Sequence, residues 1–266
     1  MGKLTARTAD KHHLYELSVQ EPEADLDFAE RQYKRRRGRP PRLVREDFCG
    51  TAAISCEWVR RRRKNLALGV DLDPKVLAWG RRHNLAPLGE AAERVTLVEA
   101  DVLDVQAPKA DMTLAMNFSY WVFKTRPELV RYLKSACRGL KPDGVMVLDA
   151  FGGSDARVVL KEKKRVAGQG FTYVWDQAKF NPITNEITCY IHFEFPDGGR
   201  MRRAFTYHWR LWGLVEVREA LREAGFQTAD VYWEGEGEDG EGDGVFRRTT
   251  RAENCPGWIA YIVAAK

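Results

Sequence analysis

Residues 43–59 constrain the fold more than any other part of the chain. An extended run at residues 43–47 leads into a turn that contains Gly50, and the turn leads into a helix-like run at residues 53–59. This order is typical of the first βα unit of a nucleotide-type site, because backbone N–H groups of the turn and the helix N-terminus can face a ligand. The segment therefore predicts an α/β domain with a ligand at this turn.

A second strand follows, and it ends in a carboxylate. Residues 69–73 read GVDLD, in which Asp71 is placed to hold the hydroxyl groups of a ribose. The turn is not a dinucleotide fingerprint, because G-x-G-x-x-G needs glycines at each of its fixed positions and only Gly50 is available. The turn and the carboxylate together predict a nucleoside-type cofactor. An ordinary strand–turn–helix is the alternative for the turn taken alone.

The turn resembles motif I of the class I S-adenosylmethionine-dependent methyltransferases, an acidic residue followed by G-x-G-x-G. The resemblance centres on residues 49–51, with Glu46 at the acidic position. Phe48, Gly50 and Ala52 take the glycine positions, so this chain keeps only the middle glycine. Glycine permits left-handed backbone and close approach of a ligand, so the match of this motif is incomplete.

Later stretches resemble the remaining motifs of the same family, in the same order and spacing. Residues 99–103 resemble the third motif, in which an acidic residue contacts the adenine amine, and residues 111–121 resemble the strand and loop beside the transferred methyl group. Residues 129–150 resemble the helix, turn and fifth strand. The similarity covers residues 43–152 and resumes near 211–265. It implies a Rossmann-like α/β fold with a seven-stranded methyltransferase sheet whose last strand is antiparallel.

The resemblance also implies a cofactor and the residues that bind it. The cofactor is S-adenosyl-L-methionine, with S-adenosyl-L-homocysteine as the product. The implied cofactor-binding residues are Tyr15, Glu46, Phe48, Cys49, Gly50, Asp71, Leu72, Asp101, Val102 and Asn117.

The chain divides into a core and two additions. Residues 1–42 read as helices, which in many small-molecule methyltransferases close over the cofactor, so they are interpreted as a helical lid. Residues 43–153 and 211–266 are the methyltransferase core. Residues 154–210 have strand-like patterns and are interpreted as an antiparallel β insertion that covers the substrate. For Tyr15, simple packing against the sheet is the alternative to a contact with the cofactor.

The insertion supplies candidate residues for the acceptor. Turn signals at residues 196–199 predict a hairpin. Strict alternation over residues 187–195 places Tyr190 and His192 on one polar face, so we expect both to point into the site.

Methyl transfer requires a nucleophile in line with an activated methyl group, water to be excluded, and an amine to be neutral when it attacks. Aromatic rings bind cations, and a histidine can take a proton near neutral pH. The sequence therefore predicts a small-molecule methyltransferase, with transfer to nitrogen preferred over oxygen. A spectator role for His192 and a capping role for Arg210 are the alternatives. The candidate catalytic residues are His192, Tyr190 and Asn117, and the candidate substrate-binding residues are Tyr120, Trp121, Trp175, Tyr190, His192 and Arg210.

The composition of the chain argues against a membrane-spanning, secreted or metal-binding protein. The chain has 266 residues, 44% of them hydrophobic, and no apolar run near the roughly 20 residues that span a bilayer. Its N-terminus lacks the apolar stretch of a signal peptide, and the odd number of cysteines without a C-x-x-C indicates reduced thiols. We expect a cytoplasmic protein without a membrane partner or a metal.

Residues 234–244 are all Glu, Asp or Gly and lack calcium-loop spacing, which predicts a mobile solvated loop.

Basic residues cluster within a net charge of +5. Residues 37–40 read R-G-R-P, the core of a peptide that binds the DNA minor groove, but a helix that ends in solvated arginines is favoured. A nucleic-acid methyltransferase, or an inactive cofactor- or DNA-binding protein, remains the alternative function. Residues 117–120 do not have the N-P-P-Y sequence of the amino-methylating DNA enzymes. No specific nucleic-acid partner is expected, and the oligomeric state is left open, with a homodimer among the alternatives.

Overall fold

The computed structural model describes residues 4–237 and 242–266. Two β-sheets and the helices packed on them make up this part of the chain. The strands are β1 (Leu43–Asp47), β2 (Leu66–Asp71), β3 (Val95–Glu99), β4 (Ala110–Ala115), β5 (Leu140–Gly152), β6 (Leu160–Val166), β7 (Phe171–Asn181), β8 (Glu186–Glu194), β9 (Arg200–Arg210), β10 (Thr228–Glu236), β11 (Gly242–Thr249) and β12 (Trp258–Ala265). The α-helices are α1 (Lys11–Ser18), α2 (Pro22–Arg37), α3 (Ala53–Arg61), α4 (Pro74–Gly80), α5 (Arg126–Gly139) and α6 (Leu214–Glu223). Other helical turns are Arg81–Leu85, Ala86–Arg94, Ser119–Val122 and Asp155–Arg157.

The large sheet has eight strands in the order β11-β10-β12-β5-β4-β1-β2-β3. Strands β1 to β5 are parallel, and β12 lies antiparallel between β5 and β10. The predicted α/β sheet with an antiparallel last strand is therefore confirmed. Strand order reverses between β1 and β4, which places the ligand crevice beyond the carboxyl ends of these strands.

Strand β11 adds an eighth strand to the predicted seven. The prediction of a solvated loop over residues 234–244 is wrong at both ends, because residues 234–236 end β10 and residues 242–244 begin β11. Phe246 on β11 packs against Phe28 and Tyr261, with ring centroids 5.8 and 4.4 Å apart. This apolar anchor fixes the hairpin beside the acidic residues. The middle of the predicted loop, residues 238–241, lies outside the described residues.

Helices cover both faces of the large sheet. Helix α5 begins with a capping box of Thr125 and Glu128, and Leu129 and Tyr132 recur at helical spacing on its buried face. This face packs with α6 in the core on one side of the sheet. On the other side, α2 and α3 bury large side chains, including the fully buried Trp58. The sheet is thus held rigidly between two apolar layers.

The small sheet has the antiparallel order β6-β7-β8-β9. The predicted hairpin is confirmed, since β8 and β9 pair across residues 195–199 and the N–H of Phe195 donates to the carbonyl of Gly199 at 2.9 Å. One face of β8 is buried, and its Ile191 and Phe193 form a cluster with Leu14 of α1. Helix α1 therefore packs on the small sheet.

Residues 4–237 and 242–266 contain no helix with the length and apolar character needed to cross a membrane. The same residues contain no group of three or more His, Cys, Asp or Glu side chains arranged to hold a metal ion.

Candidate functional site

The loop after β1 adopts left-handed backbone at each of the motif I glycine positions. The φ angles are 58° at Phe48, 52° at Gly50 and 61° at Ala52. A left-handed conformation costs a non-glycine residue roughly 1–2 kcal/mol. Phe48 offsets part of this cost by packing its ring against Tyr132, with centroids 5.4 Å apart. The loop thus keeps the backbone path that the resemblance implies, although two of the glycines are absent.

Glu46 is buried beneath this loop. Its Oε2 accepts the backbone N–H of Ser55 at 2.8 Å and the Ser55 hydroxyl at 2.6 Å. The side chain is only 4% exposed, and burial raises its pKa to about 8. Glu46 therefore joins β1 to the first turn of α3. Cys49 is also buried, which raises the pKa of its thiol well above the usual value.

The carboxylate at the end of β2 is bonded to the motif I loop. Asp71 Oδ2 accepts the N–H of Gly50 at 2.7 Å, and Oδ1 accepts the N–H of Asp73 at 2.9 Å. Burial raises the pKa of Asp71, and these N–H donors oppose the rise. Asp73 caps α4 instead, by accepting the N–H of Lys75 at 2.8 Å. Asp71 is therefore the acid that faces the loop.

The remaining predicted cofactor residues follow β2 and β3. Leu72 is 69% exposed, which leaves its side chain available to pack on a flat ligand. Asp101 is exposed and accepts the N–H of Leu103 at 2.9 Å with one oxygen. Val102 is buried in the core. The parallel register pairs Asp71 with Glu99, so the ends of both strands lie at one edge of the sheet.

The loop after β4 is held by a buried carboxylate. Asn117 and Phe118 both have φ of 57°, and their N–H groups donate to Asp149 at 2.6 and 2.8 Å. The Tyr120 hydroxyl donates to the Asp149 carbonyl at 2.9 Å. Burial raises the pKa of Asp149 to about 8, and the N–H donors oppose the rise. Asp149 thus fixes the two left-handed residues at the carboxyl end of β4.

An aromatic cavity of about 250 Å³ lies beside this loop, between α1 and the small sheet. The Tyr15 and Tyr207 hydroxyls share a hydrogen bond, and burial raises the pKa of Tyr15 to about 12 and that of Tyr207 well above its ordinary value. Both hydroxyls are therefore neutral near pH 7. Glu162 is the charged residue among those that line the cavity. The lining residues are Tyr15, Val19, Asn117, Phe118, Phe151, Glu162, Tyr173, Trp175, Ile191, Tyr207, Trp209 and Ile259.

The structure brings some of the predicted acceptor residues together and separates others. Tyr15, Asn117 and Trp175 line the aromatic cavity. Tyr120 and Trp121 are fully buried behind its wall, where Trp121 packs on Phe151 at 4.6 Å between ring centroids.

Arg210 does not line the aromatic cavity either. Its guanidinium donates to Glu216 at 2.9 Å and to the Lys124 carbonyl at 3.1 Å. Arg210 therefore joins the end of β9 to the start of α6.

Tyr190 and His192 share one face of β8, but this face is turned away from the aromatic cavity. Ile191, between them, lines the cavity. The Arg203 guanidinium lies 4.5 Å from the centroid of the Tyr190 ring, and His192 Nε2 lies 3.0 Å from Asp176 Oδ2. Tyr190 and His192 therefore do not point into the aromatic cavity, contrary to the expectation that both would share in a site there. The small sheet has one apolar face to bury, and it is that face which covers the cavity.

Sequence reasoning assigned no role to Val19, Phe151, Glu162 and Ile259, which also line the cavity. Tyr173 lines the cavity together with Trp175, because it lies two positions before Trp175 and strand alternation places both on one face. Ile259 and Phe151 are far apart in the sequence and meet only through the register of β12 with β5.

The arginines of the R-G-R-P stretch are bound to acids and carbonyls of the chain itself. Arg39 donates to the buried Asp111 at 3.1 Å and to Asp143 at 2.6 Å. Arg37 donates to the carbonyls of Gly144 and Lys266 at 3.5 and 3.4 Å. Helix α2 ends at Arg37, as the favoured interpretation expects, but Arg37 and Arg39 are bound to the chain itself and not only to solvent.

Comparison with known proteins agrees with this geometry. Residues 46–144 match the family model described as methyltransferase domain. No curated protein matches the chain. The fold is similar to that of an S-adenosylmethionine-dependent methyltransferase from Clostridium acetobutylicum, with a TM-score of 0.70, 13% identity and 96% of each chain covered. The predicted methyltransferase domain is therefore confirmed for residues 46–144, and the predicted fold is confirmed by the similarity to solved methyltransferases.

Two further solved structures are similar over almost the whole chain. CalS10, an amino pentose methyltransferase from Micromonospora echinaspora, has a TM-score of 0.67 and 14% identity, with 96% of this chain and 95% of that chain covered. KedS8, a sugar N-methyltransferase from a Streptoalloteichus species, has a TM-score of 0.65 and 18% identity, with 100% and 95% covered. At these identities the likeness establishes the shared fold.

Proposed function

We propose that this protein transfers a methyl group from S-adenosyl-L-methionine to an amino nitrogen of a small molecule and releases S-adenosyl-L-homocysteine. The observation that carries the proposal is the aromatic cavity with a single carboxylate beside the β4 loop. Aromatic faces and a carboxylate attract an ammonium group, and a neutral hydroxyl acceptor gains less from either.

The residues after β1 and β2 fit the cofactor. Left-handed backbone at Phe48, Gly50 and Ala52 opens the loop toward the crevice, and Asp71 stands beside it. Leu72 and Asp101 are exposed at the same edge, where an adenine would lie. When bound, S-adenosylmethionine supplies an activated methyl group. The solved structures of CalS10 and of the glycopeptide N-methyltransferase MtfA, both described as bound to that molecule, also support this assignment.

The lining residues are suited to positioning an amine. Trp175 and Tyr207 present rings to a cation, and the exposed Glu162 forms no ion pair with another described residue. Glu162 attracts the ammonium form and accepts its proton, so that the nitrogen is neutral when it attacks. The neutral Tyr15–Tyr207 pair orients the nitrogen by hydrogen bonding. The apolar walls exclude water from the reacting atoms.

Residues 1–42 and 154–210 act as the lid and the cover of this site. The proposal is supported by their contributions to the aromatic cavity, Tyr15 and Val19 from the first segment and Trp175 and Tyr207 from the second. Acceptor and cofactor exchange would then require α1 to move away from the small sheet.

The test is methyl transfer from labelled S-adenosylmethionine to paired acceptors. Amino sugars such as glucosamine are compared with the same sugars bearing a hydroxyl in place of the amine, and NMR locates the transferred methyl group. We expect transfer to nitrogen, and a fall of about tenfold in kcat/KM for Glu162→Gln. The matched control is Glu93→Gln, at an exposed acid outside the cavity. Transfer confined to oxygen, or no binding of S-adenosylmethionine, would refute the proposal.

A further inference from the structure

Two successive residues of α1 form hydrogen bonds with different parts of the protein. The Tyr15 hydroxyl shares a hydrogen bond with Tyr207 of the small sheet, and both residues line the aromatic cavity. The Glu16 carboxylate instead accepts the hydroxyl of Thr51, in the motif I loop, at 2.6 Å. Helix α1 therefore contacts the proposed acceptor site through one residue and the proposed cofactor site through the next.

The Glu16 carboxylate is the centre of a small polar network. Its Oε1 also accepts the side-chain amide of Asn84 at 2.6 Å, and the same amide donates to the Thr51 carbonyl at 3.0 Å. All three residues are at least partly buried. Hydrogen bonds to a charged acceptor are stronger than neutral ones, so this network fixes the position of α1 on the motif I loop.

The first turn of α1 is fixed to the same part of the protein. The Trp79 indole N–H donates to Asp10 Oδ2 at 2.9 Å, while the other oxygen of Asp10 accepts backbone N–H groups that begin α1. Trp79 lies on α4, and the next residue, Gly80, leaves no room for a Cβ against the Thr51 carbonyl. Helices α1 and α4 and the motif I loop are therefore packed together.

The apolar side of α1 packs on the small sheet. Leu14 is buried in a cluster with Ile191 and Phe193, and the rings of Tyr15 and Phe205 have centroids 4.9 Å apart. One turn of an α-helix moves as a rigid unit, because its backbone hydrogen bonds fix successive residues relative to each other. A shift of α1 at the motif I loop would therefore displace Tyr15 in the aromatic cavity.

The backbone that presents the Thr51 hydroxyl to Glu16 is one that a ligand can stabilise. Thr51 lies between Gly50 and Ala52, whose φ angles of 52° and 61° are left-handed. Ala52 disfavours this conformation when nothing holds it. A cofactor bound to backbone N–H groups of the loop would hold it, and would keep Thr51 in place for Glu16.

We propose that Glu16 is a positioning residue that couples the cofactor site to the acceptor cavity. This inference rests on the proposed function, because it specifies how the two proposed sites act together. With S-adenosylmethionine or S-adenosylhomocysteine bound, Glu16 holds α1 on the motif I loop and so holds Tyr15 in the cavity. Without the cofactor, α1 is held less firmly. By linkage, an acceptor in the cavity raises the affinity for the cofactor by the same factor.

The test is hydrogen–deuterium exchange of the full chain, with and without saturating S-adenosylhomocysteine. In the unaltered protein we expect the ligand to slow exchange of residues 11–19 by about fivefold or more. In Glu16→Ala this ratio should fall to about twofold or less, while residues 48–52 keep their protection by the ligand. A contact with a structural role alone would change exchange of α1 equally in both states and leave the ratio unaltered.

Further variants assign the effect to the hydrogen bonds. Thr51→Val removes the hydroxyl and should lower the ratio as Glu16→Ala does. Glu16→Gln keeps a carbonyl oxygen that can accept from Thr51 and Asn84, so the ratio should stay above about threefold. The matched control is His13→Ala, at an exposed position of the same helix, which should keep the ratio of the unaltered protein. Thermal unfolding checks that each variant is folded, and Thr51→Val decides if Glu16→Ala is not.

An unaltered ratio in folded Glu16→Ala or in Thr51→Val would overturn the proposal. So would bound S-adenosylhomocysteine that leaves exchange of residues 11–19 unchanged in the unaltered protein. Methyl transfer to glucosamine is measured separately. A ligand effect on α1 that depends on Glu16, without transfer to nitrogen, would count against the proposed acceptor alone. Transfer to nitrogen without that effect would count against the role of Glu16 alone, and failure to bind S-adenosylhomocysteine would overturn both.

Discussion

The Asp149 carboxylate accepts the backbone N–H of Asn117 at 2.6 Å, and with its other oxygen it accepts the N–H of Phe118. Both donors belong to left-handed residues, so the carboxylate holds a backbone conformation that the residues themselves disfavour. The same two residues line the aromatic cavity. A buried acid on β5 therefore sets the shape of one wall of the aromatic cavity, which is the proposed acceptor site, although it does not line the cavity itself.

Replacement of Asp149 tests this positioning role. Asp149→Asn leaves one acceptor oxygen and turns an amide N–H₂ toward a backbone N–H. We expect stability to fall by about 1–3 kcal/mol, as for a buried donor left unsatisfied, and methyl transfer to fall with it. Urea unfolding and single-turnover transfer measure the two effects. Asp104→Asn, at an exposed acid, is the control and should leave both unchanged. A variant of normal stability and rate would show that the loop holds its shape unaided.

Asp71 and Asp73 lie two residues apart and should behave differently. Asp71→Ala removes the acceptor of the Gly50 N–H as well as the expected ribose contact, so affinity for S-adenosylmethionine should fall by at least about tenfold. Asp73→Ala removes the cap of α4 and should cost about 1 kcal/mol of stability with little change in affinity. Calorimetry with S-adenosylhomocysteine and thermal unfolding separate the outcomes. The reverse pattern would identify Asp73 as the ribose-binding acid.

Buried acids give the stability of the protein a pH dependence of known sign. Burial raises the pKa of Glu46 from 4.5 to about 8, so the folded state retains a proton that the unfolded state loses between these values. The stabilisation of the folded state by the protonated Glu46 side chain is therefore fully present below pH 4.5, and it is lost as the pH rises through about 8. Asp149 acts in the same direction, with a pKa of about 8.

We expect the free energy of unfolding to fall between pH 5 and about 8, and to fall less steeply in Glu46→Gln, whose side chain does not ionise. Urea titrations at several pH values measure both slopes. Glu90→Gln, at an exposed position, provides the comparison and should keep the slope of the unaltered protein. Parallel slopes for Glu46→Gln and the unaltered protein would show that Glu46 is ionised in the fold.

The cost of the left-handed backbone at Ala52 can be measured by comparing a glycine at Ala52 with a glycine at Ala53. Ala52→Gly relieves a φ of 61°, whereas Ala53→Gly places a glycine in the first turn of α3. Ala52→Gly should therefore be the more stable variant by about 1 kcal/mol. Denaturant unfolding of the two variants under identical conditions gives the difference. If Ala53→Gly is equally stable or more stable, the motif I loop carries no strain at this position.

Local pattern predicted the large sheet, because β1, β2 and β4 are each followed by a turn and a helix. The alignment of this turn with motif I was also predictable from the sequence. Phe48 and Ala52, which occupy two of its glycine positions, adopt the left-handed backbone that glycine favours. Strand β11 escaped prediction because its anchor, Phe246, packs against Phe28 and Tyr261, which are distant in the sequence. Acidic composition alone indicated a loop there.

The alternation of apolar and polar residues in β8 correctly predicted which side chains share a face of the strand. It did not predict which of the two faces points toward the cavity. Periodicity separates Ile191 from Tyr190 and His192, yet it does not say which face meets the rest of the protein. The polar face of β8 holds the histidine, but the residues of the small sheet that line this cavity are mainly aromatic and aliphatic. Which face is buried depends on α1 and on the core, through contacts that a single strand does not encode.

The final prediction contrasts Trp175 with Tyr190, which lie on opposite faces of the small sheet. Trp175 lines the aromatic cavity, and Tyr190 packs under the Arg203 guanidinium on the outer face. Trp175→Ala should lower kcat/KM for an amine acceptor by at least about tenfold, because a ring that binds the cation is lost while the cofactor residues are untouched. Tyr190→Ala should stay within about twofold of the unaltered protein.

Steady-state kinetics with varied acceptor, and calorimetry with S-adenosylhomocysteine, check both variants. Unchanged cofactor affinity in Trp175→Ala assigns the loss to the acceptor. His192→Ala extends the comparison, since His192 shares the outer face and should resemble Tyr190→Ala. A large loss of turnover in Tyr190→Ala and His192→Ala, with Trp175→Ala fully active, would place the acceptor on the opposite face of the sheet and remove the aromatic cavity from the mechanism.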